Sequence, residues 1–228
     1  MRRFLSVLLL AFAVTLPAHA FSLADISNQD AAGGLKEALT QGAGKAVDVL
    51  GRKDGFLGNA KVKIPLPGGL EEVAGIMRGL GMRKQVEELE VAMNRAAEAA
   101  VPEAKALLVG AVKQMSVQDA KTILTGGDTA ATDFFKGKTE APLTVKFLPI
   151  VKNAIGKVKL AEKYEQFAGK ASKFGVIKKE DSHLENYVTR KALDGLFLMI
   201  GEEERAIRKD PVGAAGGLAK KVFGALGH

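Results

Sequence analysis

Leu184-Glu185-Asn186-Tyr187-Val188-Thr189-Arg190-Lys191-Ala192-Leu193-Asp194-Gly195-Leu196-Phe197-Leu198-Met199-Ile200 is the stretch that decides the fold class. Leu184, Tyr187, Val188, Ala192, Leu196, Met199, Ile200 and, beyond it, Ala206 recur at helical spacing on one broad face. Leu193 and Phe197 add a second apolar face, so the middle of this helix is expected to be enclosed by others. It is predicted to start at a Ser182 cap, to stop at Pro211 and to be the central helix of a bundle.

The same period recurs upstream. Leu35, Leu39, Ala43, Ala46, Val47 and Leu50 predict a helix over 35–50, stopped by Gly51 and Gly55. Lys61-Val62-Lys63-Ile64 alternates, but Pro65 and Pro67 exclude a central strand. A short helix is expected over 70–80. A longer one from Met82 carries Val86, Leu89, Met93, Ala96, Ala97 and Ala100 on one face until Pro102 kinks or ends it. Residues 103–115 continue helically. Ser116 with Asp119 three residues on marks a capped helix that ends at Gly126-Gly127. Asp128 then reads as the cap of a helix over 129–135, and Pro142 starts another that Pro149 should bend or split. Tyr164, Phe167 and Phe174 form a later apolar stripe, 175–181 a loop, and Leu218, Val222, Phe223 and Leu226 a small terminal helix. No β-branched run is long enough for a sheet. The fold class is all-α: a single multi-helix bundle with short Gly/Pro-punctuated connections.

The N-terminus sets an expected address. Arg2 and Arg3 precede an apolar run from Phe4, and Ala18-His19-Ala20 presents small residues at the positions a signal peptidase reads. That run is shorter than the ~20 residues a membrane-spanning helix needs. Cleavage after Ala20, by the ordinary secretory rather than the twin-arginine route, would place the protein in the periplasm without a lipid anchor. The division is then a signal peptide over 1–20, a lead-in over 21–34 and one helical domain over 35–226. The chain has no cysteine, so stability must come from packing, without disulfides. Only His183 and His228 survive cleavage, which argues against a histidine metal site. No cofactor is expected.

Losing Arg2 and Arg3 leaves 31 of the 33 basic residues against 26 acidic ones, a charge of +5. The distribution says more: residues 136–179 hold eleven lysines and three glutamates, +8. Lys146, Lys152, Lys157, Lys159 and Lys163 are candidate contacts for an anionic surface, set against the plainer reading of a solvated helical face. Without arginine in that segment, and with Tyr164, Phe167 and Phe174 read as an apolar stripe, nucleic acid is not an expected partner. An anionic membrane surface or another envelope protein is.

Asn94, Arg95 and Glu98 interrupt an alanine-rich helix, and Arg95 and Glu98 can pair at i,i+3. They are expected either to tie helices together or to line a tight ligand cleft. Asp194, on the enclosed central helix, is expected to be desolvated and to take Arg190, one turn earlier, as its partner. Asp119 and Asp128 complete the candidate ligand or polar network. Gly126-Gly127-Asp128-Thr129 opens a helix whose N–H groups attract anions, but Asp128 would cap them itself. Asp54-Gly55-Phe56-Leu57-Gly58-Asn59 lacks the ligands of a calcium loop and reads as a turn. Ser182 and His183 are sequence neighbours rather than a catalytic pair. No catalytic residue is assigned.

Several segments carry a family resemblance together: Leu35-Lys36-Glu37-Ala38-Leu39, Lys63-Ile64-Pro65-Leu66-Pro67, Met93-Asn94-Arg95-Ala96-Ala97-Glu98-Ala99-Ala100 and Asp119-Ala120-Lys121-Thr122-Ile123-Leu124. Gly126-Gly127-Asp128-Thr129-Ala130-Ala131-Thr132, Tyr187-Val188-Thr189 and Ala192-Leu193-Asp194-Gly195-Leu196-Phe197 extend it. In these, from about Leu35 to Gly224, the chain resembles the domain-of-unknown-function 4197 family of exported bacterial proteins. The resemblance implies a helical fold and a Gram-negative envelope context, and brings no established activity, cofactor or catalytic residue. The chain departs from the family at Val212-Gly213-Ala214-Ala215-Gly216-Gly217, where relatives have a basic and polar stretch. The expected function is an exported, non-enzymatic helical protein that binds an envelope component or partner through a polar inter-helix cleft or the lysine-rich surface. The alternatives are an enzyme using carboxylates with Arg95 in a helical cleft, and an oligomerising scaffold.

Overall fold

The computed structural model describes residues 28–162, 164 and 183–210. The expected signal segment, Lys163, Ser182, the expected Phe167 and Phe174 stripe, the expected 175–181 loop and the expected helix around Leu218 lie outside them. Among the described residues the elements are α1 (Asn28–Leu50), α2 (Gly68–Gly79), α3 (Arg83–Ala100), a 3-10 turn (Val101–Glu103), α4 (Ala104–Lys113), α5 (Val117–Thr125), α6 (Ala130–Ile155) and α7 (Leu184–Lys209), with no strand. The all-α bundle is as the periodicity requires.

α7 is the hub. It packs against α6, α1 and α3, and at Gly195 the connector between α1 and α2 closes a fourth side. A Cβ on Gly195 would lie 2.8 Å from Phe56 Cε1 and 3.2 Å from Val62 Cβ, so only glycine lets the two meet. Leu184, Val188, Ala192 and Leu196 are fully buried. The enclosure is incomplete, however: Asp194, Leu198 and Arg205 form a narrow exposed stripe at helical spacing. Ala206 is also exposed, because Glu204 and Ile207 take the buried positions in the last turns. The N-cap of α7 is His183 rather than Ser182, with no side-chain capping bond.

Three boundaries differ from the sequence expectation, and packing explains two of them. α1 is already helical at Asn28, the first described residue, rather than starting at Leu35, and runs through Gly33 and Gly34, because Ala31 and Ala32 are buried and tertiary contact outweighs the low helix propensity of glycine. α6 is one 26-residue helix with Pro142 and Pro149 inside it, rather than a 129–135 helix followed by a broken second one. Both prolines are exposed. They stand seven residues apart on one outer face, where water can satisfy the carbonyls they leave unpaired.

The inner residues of α6 are Ala131, Phe135, Thr139, Leu143, Phe147, Val151 and Ile155, a strict i,i+4 series. On a helix of 3.6 residues per turn that series advances about 40° per step. It winds around the helix because α6 is shared among α7, α3, α4 and α5. Thr139, the polar member, donates its hydroxyl to Phe135 O at 2.7 Å. The third difference, at the start of α6, belongs to the polar groups below.

Candidate functional site

α3 holds the connector of residues 51–67 by its polar residues. Asn94 is fully buried and uses its amide as a strand would: Ile64 N donates to Oδ1 at 2.8 Å, and Nδ2 donates to Ile64 O at 2.9 Å. Nδ2 also donates to Glu90 O at 2.9 Å, one turn back. One turn on, Glu98 Oε1 accepts the N–H groups of Phe56 and Leu57, each at 3.1 Å. Its Oε2 accepts Arg95 Nη1 at 2.6 Å, and Arg95 Nη2 reaches Asp54 Oδ1 at 2.7 Å.

Asp54 sits at φ 66°, a left-handed turn conformation that aspartate tolerates better than most residues. The bonds to Glu98 and then Asp54 raise the Arg95 pKa above its ordinary value. Alanines at 96, 97 and 100 let the neighbours approach. Asn94, Arg95 and Glu98 are therefore brought together, and their hydrogen-bonding capacity is directed at the connector. Tyr187 of α7 adds a bond from its hydroxyl to Pro65 O at 3.1 Å.

The remaining candidates do not join them. Asp119 forms a capping box at the start of α5: its N–H donates to Ser116 Oγ at 3.0 Å, and its carboxylate accepts Ser116 N at 2.9 Å. Ser116 Oγ also donates to that carboxylate at 2.7 Å, and the bond from Ser116 N, followed by the one from its hydroxyl, holds the carboxyl below its usual range. Asp194 lies on the wet stripe of α7 with Lys191 Nζ 3.7 Å away, so the expected desolvation and pairing with Arg190 are not what the structure shows. Arg190 instead places its guanidinium 5.8 Å from the Tyr187 ring centroid. Asp128 is exposed, and the N-cap of α6 is Thr129 without a side-chain capping bond.

The anion at that helix start comes from a residue that local sequence does not mark. Glu204 of α7 is buried; its Oε1 accepts Ala131 N at 2.9 Å, and its Oε2 accepts Thr132 N at 2.9 Å and Thr132 Oγ1 at 2.8 Å. Arg208 Nη2 donates to Glu204 Oε1 at 2.8 Å and to Ile123 O at 2.9 Å. The Glu202-Glu203-Glu204 run thus fans out, with Lys61 at 2.7 Å from Glu202 and Lys45 at 2.8 Å from Glu203. A glutamate run on a predicted helix reads as a solvated face. The buried Ile200 and Ile207 on either side of Glu204 were the available hint.

The lysines stand outside all of this. Lys136, Lys138, Lys146, Lys152, Lys157 and Lys159 are exposed. Lys136 is 3.9 Å from Glu140 and Lys146 is 3.8 Å from Glu103, whereas Lys138, Lys152, Lys157 and Lys159 make no ion pair with the described residues. Two small clefts flank α6. One of about 210 Å³ is lined by Lys152, Ile155, Gly156, Ala161, Glu162 and Glu185. Another of about 240 Å³ lies between α4 and α6 around Leu107, Phe134 and Thr139. Among the described residues no group of three or more His, Cys, Asp or Glu is placed to hold a metal ion. No helix among them is long and apolar enough to cross a membrane.

The family described as "Protein of unknown function (DUF4197)" matches residues 25–224. The chain belongs to that family. The match begins ten residues before Leu35 and takes in all of α1, including the turns that the periodicity omitted. Asn94, Arg95, Glu98 and Glu204 all fall within it. No curated protein and no solved structure matches the chain.

Proposed function

We propose that this chain is an exported, non-catalytic helical protein of the bacterial envelope that docks on an anionic phospholipid surface through the outer face of α6. The observation that carries the reading is the make-up of that face. Lys138, Pro142, Val145, Pro149 and Lys152 share it, Val145 is 74% exposed, and Lys157 and Lys159 follow directly. Lys138 and Lys152 lie about 21 Å apart along the helix at 1.5 Å per residue. Cations that make no ion pair with the described residues, around an apolar strip, suit a headgroup layer, each being worth about 1 kcal/mol near an anionic surface. The polar cleft is the weaker candidate, since Asn94, Arg95 and Glu98 spend their bonds on the connector.

Co-sedimentation with phosphatidylglycerol-containing vesicles tests this. Binding should fall with rising salt, and replacing Lys138, Lys152, Lys157 and Lys159 together by glutamine should weaken it roughly a hundredfold or more at low salt. Equal recovery with purely neutral vesicles removes the reading.

A further inference from the structure

The corner between α2 and α3 is built differently from every other turn described. α2 ends in a Schellman motif: Met82 N donates to Met77 O at 2.9 Å and Gly81 N to Arg78 O at 3.3 Å, with Gly81 at φ 81°. Leu70 and Ala74 are buried, whereas Ile76 and Leu80, four residues apart on another face, are 66% and 74% exposed. The glycines beside them are open as well: among the described residues, a Cβ on Gly75, Gly79 or Gly81 would meet no atom within 4 Å. Arg83 and Lys84 are exposed directly after the turn and make no ion pair with the described residues. Arg78 is committed to Glu71 at 2.8 Å. No acidic residue occurs from 73 to 86, although glutamates follow at 87, 88 and 90.

We infer that the α2–α3 corner is a membrane wedge, inserting Ile76 and Leu80 into the interfacial layer of an anionic phospholipid bilayer while Arg83 and Lys84 lie against its phosphates. The inference rests on the docking proposed above for its class of partner, but not on the α6 face. Two large apolar side chains on an exposed, glycine-lined corner offer far less than the roughly 800 Å² per partner of a stable protein interface. They suit a fluid layer that moulds itself around them. The paired cations supply the charge complementarity, and apolar insertion adds a component that salt does not screen.

The chain has no tryptophan, so Leu80→Trp introduces a single reporter. With phosphatidylglycerol vesicles its emission should move to shorter wavelength and be quenched by lipids brominated in the acyl chains. Ile76→Ser with Leu80→Ser should reduce partitioning at 0.15 M salt about ten- to a hundredfold, with the helical circular dichroism unchanged. Vesicle-bound protein whose indole stays at its aqueous wavelength overturns the wedge and leaves the α6 docking standing. Lipid burial of the indole that is indifferent to the α6 lysine variants supports the wedge and removes the α6 face. Absence of binding by either measure overturns both. A blue shift that grows with protein concentration without vesicles assigns the corner to self-association and overturns the wedge.

Discussion

Replacing Glu204 by alanine isolates the contact that joins the two longest helices at their ends. The carboxylate accepts from Ala131 N, Thr132 N, Thr132 Oγ1 and Arg208, and its side chain is 4% exposed. Truncation leaves two backbone donors at the start of α6 without an acceptor, at about 1–3 kcal/mol each. It also leaves Arg208, 10% exposed, with Ile123 O as its remaining described acceptor. Breaking one partner out of a buried pair costs about 3–5 kcal/mol, a figure that already includes much of the donor penalty.

The expected loss for Glu204→Ala is therefore about 3–5 kcal/mol, from a total stability of the usual 5–15 kcal/mol. At about 2–4 °C per kcal/mol for a chain of this size, Tm falls by roughly 6–20 °C. Glu204→Gln keeps one acceptor oxygen but loses the charge, and should cost about half as much. Urea and thermal unfolding followed at 222 nm measure both. A Glu204→Ala protein within about 1 kcal/mol of the parent would mean that water satisfies the α6 amides, and it would refute Glu204 as the cap.

Asn94→Asp should be worse than Asn94→Ala at pH 7, because its second oxygen would face Ile64 O and Glu90 O where the amide now donates. A loss of about 3 kcal/mol or more at neutral pH, partly recovered near pH 4 as the carboxyl protonates and donates, is expected in urea titrations; parental stability at pH 7 would contradict it. The capping box gives a pH dependence of opposite sign. The Asp119 carboxyl is held below its unfolded value, so its contribution is complete above about pH 3.9 and disappears as pH falls through the lower folded value. The stability difference between the parent and Asp119→Asn should accordingly be flat at neutral pH and shrink on acidification; a difference that grows toward low pH would exclude the assignment.

Local pattern was informative wherever a helix solves its own problem. The α3 face of Val86, Leu89 and Met93 and the Ser116 box need only neighbours three or four residues away, and a linear reading finds such neighbours. Asn94, Arg95 and Glu98 stood out as polar residues among alanines, and the Arg95 to Glu98 pair spans a single turn. Their main partners do not: Ile64 is 30 residues from Asn94, and Phe56 is 42 from Glu98. Asp194 misled because an apolar surround in sequence is not burial in space; one exposed stripe was enough to keep it wet.

By itself the sequence determined that this chain is helical, where most turns fall, that no thiol chemistry is available, and that positive charge gathers in residues 136–179, because periodicity, composition and formal charge are properties of the chain. Tertiary structure decided the rest. It kept α6 whole through two prolines by turning them outward, and it sent three adjacent glutamates to three partners. It also spent the polar residues of α3 on the connector, and left Ile76 and Leu80 exposed among the described residues. The reason is that a buried N–H or an apolar side chain is satisfied by whatever packs against it, and that neighbour is chosen by the whole fold.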